Sequence, residues 1–363
     1  MERVLDQITT IQNTILSLNN MDDTNKLILK LHEENVVNNK ESLYRLLKML
    51  NIAFTIRPYQ YQYYIHILED AIPQIKQYFK PNEILTNRFN SFWSNDFIFD
   101  FMIKNGIYTE DNFVKKIGSI IKNNDENRSN SLGKDFFSSI QNDDINMFQD
   151  FFSQSNLSFD MKMEYNIDGY FDKTANVTWK LPQLIEYVAF CGSIKIFKFL
   201  WLNKANTKIP DLYYFSIAGG NSEIIHLVES INFDYNIQHL VVAAIEFHRN
   251  DVVQYLFNTK NFEILEGINI NISIEYNNIE ILLYILDHPS ITSELLATAI
   301  FSSILYCNID ILKYLIEAKK VNLNDKAVSK YLIIRAIRTK NTDIVRYLCG
   351  FKEIDLNDSD EIY

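Results

Sequence analysis

Histidines, cysteines and paired carboxylates would carry any metal binding, acid–base work or nucleophilic chemistry in this chain, and none of them is spaced for it. His32, His66, His226, His239, His248 and His288 never fall at metal-ligand intervals with one another or with Cys191, Cys307 and Cys349. The three thiols are odd in number and widely spaced, and they lie in apolar stretches, as free cysteines of a reducing compartment do. Glu33-Glu34 and Asp143-Asp144 are adjacent charges at expected helix ends, where carboxylates are solvated rather than held as a catalytic pair. Gly219-Gly220 is the sole glycine pair, and neither a phosphate loop nor a G-x-S-x-G nucleophile turn is present. The expectation is a non-enzyme with no catalytic residue, metal or cofactor.

The elements behind these residues are helical. Nine glycines and six prolines in 363 residues are too few for the frequent turns of a β-rich fold. A 47% hydrophobic and 22% charged composition suits a folded, soluble chain. The net charge of −11 and the lack of any Lys/Arg cluster speak against a nucleic-acid partner, whose phosphates need a basic stripe. The N-terminus has no signal-peptide core, and the most apolar stretch, Leu295 to Tyr306, is too short to span a bilayer. No membrane partner is expected, and a cytoplasmic location is.

Self-similarity organises the C-terminal two-thirds. One pattern, a turn followed by an apolar helix, recurs at Gly192, Gly220, His248, Asn277, Cys307 and Lys340, at spacings of 28, 28, 29, 30 and 33 residues. An earlier copy sits at Asp143, with an insertion near 160–181 after it. Ahead of the turn run three columns at i, i+3 and i+4, the spacing of one helix face. The first is Ile185, Tyr213, Val241, Ile270, Ile300 and Ile333. The second, mostly small, is Val188, Ser216, Ala244, Ser273, Ser303 and Ala336, which lets helix axes approach closely. The third is Ala189, Ile217, Ile245, Ile274, Ile304 and Ile337. Beyond the turn, Glu223, Asp251, Glu280, Asp310 and Asp343 meet the positive end of a second helix, a column that Lys195 breaks. Such a helix pair buries too little to stand alone, so stability must come from stacking.

The segments G-N-x-E-I-I-x-x-V at Gly220, N-I-E-I-L at Asn278, N-I-D-I-L at Asn308 and N-T-D-I-V at Asn341 resemble the second-helix signature of ankyrin repeats. Ser216, Ala244 and Ala336 fall where that family's first helix carries its packing alanine. The short period and the Asn/Ile/Tyr-rich style are similar to the divergent, uncharacterised ankyrin-repeat families of parasitic protists. The family's T-P-L-H motif is missing: its histidine column here reads Glu186, Tyr214, Val242, Asn271, Phe301 and Ile334. Periods near 28–30 leave little room for β-hairpin fingers, so short loops are expected in their place. The resemblance implies an all-α, ankyrin-like helix-pair solenoid of about seven pairs over 134–363. A linker at 126–133 would precede it, and before that a helical N-terminal domain over 1–125.

In stacks of this kind the two positions before each turn face the concave side. Phe190, Phe247, Tyr276 and Tyr306, flanked by Glu246 and Glu275, would there form an exposed aromatic stripe for a partner. Packing of these rings between neighbouring repeats is the equal alternative. The resemblance implies a scaffold or adaptor that binds another protein along the concave face. Two other readings stand beside it: a ligand-binding or catalytic N-terminal domain with recruiting repeats, and a self-assembling structural array. The sequence names neither the partner nor the oligomeric state.

Overall fold

The computed structural model describes residues 1–80, 101–107, 134–154, 157–163, 182–231, 235–260, 264–323, 332–352 and 354. The expected linker at 126–133, most of the insertion near 160–181, and residues 81–100 and 108–125 of the expected N-terminal domain lie outside the described residues. The fold is all-α. Among the described residues no strand forms, and one isolated antiparallel bridge joins Lys162 to Gln183.

The N-terminal helices are α1 (Glu2–Leu16), α2 (Met21–Glu33), α3 (Lys40–Ile56) and α4 (Tyr61–Tyr78), with a 3-10 turn at Pro58–Gln60. The helix pairs follow: α5 (Lys134–Gln141) with α6 (Ile145–Gln154), α7 (Leu184–Cys191) with α8 (Ile194–Leu202), and α9 (Leu212–Gly219) with α10 (Ser222–Glu229). After these come α11 (Ile237–Glu246) and α12 (Asn250–Lys260), then α13 (Gly267–Glu275) and α14 (Ile279–Leu286). The last are α15 (Ser293–Leu305) with α16 (Ile309–Lys313), which runs on as a π-turn at Tyr314–Ala318, and α17 (Leu332–Arg338) with α18 (Thr342–Leu348).

The described residues fall into two compact units. Unit 1 takes residues from 1–53, 66–92 and 256–363, and unit 2 takes residues from 54–65 and 93–255. Within unit 2, first helices stack in order, α7 on α9 and α9 on α11, and second helices do the same, α6 on α8 and α8 on α10. Within unit 1, α13 stacks on α15 and α15 on α17, while α1 packs on α14 and α16.

Every repeat turns on the same backbone device. Asp143, Gly192, Gly220, His248, Asn277, Cys307 and Lys340 all take positive φ, between 51° and 74°. This left-handed residue stops the first helix. In five of the turns the next amide then reaches the carbonyl five residues back: Asp144 to Ser139, Ser193 to Val188, Arg249 to Ala244, Asn278 to Ser273 and Asn308 to Ser303. The acceptors belong to the small-residue column or its counterpart in the first copy, so one column both closes the turn and admits the neighbouring helix. Its serines do not waste their hydroxyls. Ser216, Ser273 and Ser303 each donate to the carbonyl four residues back, at 2.7 Å, and are fully buried.

Four of the second helices start on an asparagine. Asn221, Asn278, Asn308 and Asn341 accept amide hydrogens of the first turn through their side-chain oxygens. Where Lys195 interrupts the acidic column, the preceding repeat supplies the charge: the Asp143 carboxylate accepts from the amides of Lys195 and Ile196 at 3.0 and 3.1 Å. The other expected core columns are buried, with one exception at the end of the array, where Ile337 is 57% exposed. Along the second helices, Tyr255, Tyr284, Tyr314 and Tyr347 align as a further column of mixed exposure. Tyr314 is buried, but Tyr255 and Tyr347 are half-buried and donate to Glu229 and Glu317 at 2.7 and 2.9 Å. Between α14 and α15 the connection is the short loop 287–292, with no strand.

Candidate functional site: the repeat turns and the cleft at Lys48

Each turn residue arrives at its place through the helix-stop and helix-start chemistry above. In unit 2 the expected stripe residues Phe190 and Phe247 are brought together, with ring centroids 5.7 Å apart and edge to face. Of the two expectations for these rings, packing is what the structure shows. Phe190 is 3% exposed and Phe247 is fully buried. Tyr59 stands edge-on to Phe190 at 5.9 Å, and the Arg57 guanidinium donates to the Phe247 carbonyl at 2.6 Å. Glu246 is buried too and accepts from the Tyr214 hydroxyl at 3.3 Å. In unit 1, Tyr276 is buried, whereas Tyr306 and Glu275 remain half-buried and joined by a 2.9 Å hydrogen bond from the Tyr306 hydroxyl. Burial raises the Glu275 carboxyl above its ordinary range, against the opposing pull of that hydrogen bond, and raises the Tyr306 phenol as well.

Two arginines that column spacing does not single out, Arg57 and Arg249, hold the unit 2 turns. Arg249 lies against Gly220, where a Cβ would meet its guanidinium at 2.5 Å, and its Nε donates to the Ala218 carbonyl at 2.9 Å. Burial, then the neighbouring Arg57, lowers the Arg249 pKa to about 10. Periodicity assigns an arginine to the surface. Only the fold reveals that a backbone carbonyl without a helical partner needs a long donor here.

Unit 1 secures its turns with other groups. The Asn308 amide donates to Asn277 at 2.9 Å, and the Asn277 amide donates to Gln12 of α1 at 2.9 Å, all three being buried. Arg45 of α3 forks onto Asp310, Nε to Oδ2 at 2.8 Å and Nη2 to Oδ1 at 2.7 Å, and also reaches Glu41 at 2.7 Å. Asp310, expected only to serve a helix end, is thus the buried half of an ion pair. Beside this fork lies a small open cleft lined by Tyr44, Lys48, Met49, Cys307 and Asp310 among others. Burial pushes the Lys48 amine down to about 8, with Asp310 and Cys307 acting in the opposite sense.

Among the described residues no helix is long and apolar enough to cross a membrane. Residues 205–286, which run from just before α9 to the end of α14, match a family model described as a domain of unknown function, DUF3447. No curated protein and no solved structure matches the chain.

Proposed function

We propose that the chain is a non-catalytic, ankyrin-like scaffold or adaptor of the cytoplasm that holds another protein on its last two helix pairs. One observation carries the reading. Leu305 and Ile337, from the stacked helices α15 and α17, are 64% and 57% exposed at positions where the earlier copies are largely covered. The equivalents of Ile337, namely Ala189, Ile217, Ile245, Ile274 and Ile304, are all fully buried. Half-buried Tyr306 and Glu275 supply an aromatic and a polar neighbour, the mixture that protein interfaces favour. The DUF3447 match supports the ankyrin-like part, since that domain is common in ankyrin-repeat proteins. A net charge of −11 makes a protein a better partner than a nucleic acid. Phe190, Phe247 and Tyr276 are assigned to packing on account of their burial.

Photo-crosslinking tests this reading. A benzoylphenylalanine at position 305 or 337 of the full chain, expressed in its native cell, is expected to capture one defined protein. The same label at Leu29, which is equally exposed on α2, is expected not to. Leu305→Asp with Ile337→Asp should abolish capture while leaving the helical circular dichroism and melting intact. Capture that is the same at all three positions, or absent from 305 and 337, rejects the scaffold surface. The alternative, an activity of the N-terminal helices, is favoured by the cleft that Lys48 and Asp310 line.

A further inference from the structure

Lys48 and Cys307 are an amine and a thiol that share one cleft of unit 1, and they come from elements far apart in sequence, α3 and the turn between α15 and α16. Arg45 already neutralises Asp310 with two hydrogen bonds, and Lys48 forms no ion pair or hydrogen bond among the described residues. The thiol is half-exposed and sits on a left-handed residue at φ 54°, where the turn projects it at the cleft wall. We propose that Lys48 is a self-acylation site, at which Cys307 takes an acyl group from a small acyl thioester and passes it to the lysine amine.

The steps balance. The Cys307 thiolate attacks the thioester carbonyl, a new Cys307 sulfur–acyl bond forms, and the donor's carbon–sulfur bond breaks. The donor leaves as its thiol, carrying the proton that Cys307 gave up. The Lys48 free base then attacks the same carbonyl. The amide carbon–nitrogen bond forms, the carbon–sulfur bond to Cys307 breaks, and the proton lost by the amine returns to the cysteine. No oxidant or metal is needed. Burial helps by holding the amine near 8, so that a sizeable fraction is free base where an exposed lysine is almost wholly protonated. Acylation removes the lysine charge beside Asp310 and leaves Arg45 as the main cation there. The site is read from the cleft alone and stands whether or not the scaffold surface is correct.

The test is site-resolved acetylation of the full chain by acetyl-coenzyme A, followed by peptide mass spectrometry between pH 7 and 10. Lys48 is expected to react at least several-fold faster than Lys26, whose side chain is 75% exposed. Its rate should level off above about pH 8, while that of Lys26 keeps rising. Cys307→Ser should slow Lys48 several-fold without changing Lys26, and Cys349→Ser, at an exposed thiol, should change neither. Equal wild-type rates for Lys48 and Lys26 overturn the proposal without recourse to any variant. An undiminished Lys48 rate in a folded Cys307→Ser chain overturns the relay through the thiol.

Discussion

The turn at Gly220 and the turn at Cys307 share a left-handed residue and an asparagine cap, yet different side chains secure them. At Gly220 the left-handed residue is a glycine with φ 74°, the helix before it ends in another glycine, and a guanidinium from Arg249 binds the free carbonyl of Ala218. At Cys307 the left-handed residue carries a side chain at φ 54°, and the bracing comes from amides, Asn308 on Asn277 and Asn277 on Gln12. The Gly220 turn has an amide brace as well, from Asn221 to the Gly192 carbonyl at 3.0 Å, so what sets the Cys307 turn apart is the backward bond from the Asn308 amide to the Ser303 carbonyl, which helps offset the cost of about 1 kcal/mol for a side chain in this conformation. The fold therefore demands a backbone angle and a closed helix end, and it accepts several residue types for each. This is how a repeat can diverge until only its columns are recognisable.

The contrast breaks most sharply at Gly219. A Cβ there would lie 2.1 Å from the Ala189 carbonyl oxygen, a backbone atom of α7 that cannot rotate away. Gly219→Ala is expected to destabilise unit 2 by about 3 kcal/mol through overpacking, read as a lower urea midpoint. An unchanged midpoint would mean that α7 and α9 do not approach as described. The unit 1 counterpart is Arg45→Met, which strands the buried Asp310 carboxylate and should cost about 2 kcal/mol, discounted for the partial exposure of the arginine. Adding Asp310→Leu should recover most of that loss, because removing both charges also removes the desolvation that their pairing offsets. If the double variant is no better than the single, the fork is not what holds α3.

How much of this could be read from the sequence follows from what periodicity encodes. The positions of all seven turns and the small column are legible in the sequence, because each is a local demand repeated in phase. The fate of Phe190 and Phe247 is not. Column spacing places a ring on a face, but whether that face meets water depends on Tyr59 and Arg57, which lie well over a hundred residues away. The same holds for Lys48, Cys307 and Asp310, whose meeting no spacing rule could find. Asp143 marks the middle ground. It was visible as a turn residue, yet its service to the amides of Lys195 and Ile196 crosses an insertion that hides the pairing.

The smallest expected effect sharpens the comparison from its other side. Lys340 is the left-handed residue of the last turn, at φ 55°, and its side chain is exposed. If the backbone angle rather than the residue is what the turn requires, Lys340→Gly should raise stability by about 0.5–1 kcal/mol. The relief of strain at positive φ would then exceed the extra unfolded-state entropy of glycine. The reverse change, Gly220→Ala, meets both a positive φ and the Arg249 guanidinium and should lower stability. Urea melts of the two single variants measure these opposite signs directly. A destabilised Lys340→Gly would show that the last turn is held by its lysine side chain, and the equivalence of the turns would then fail at the end of the array.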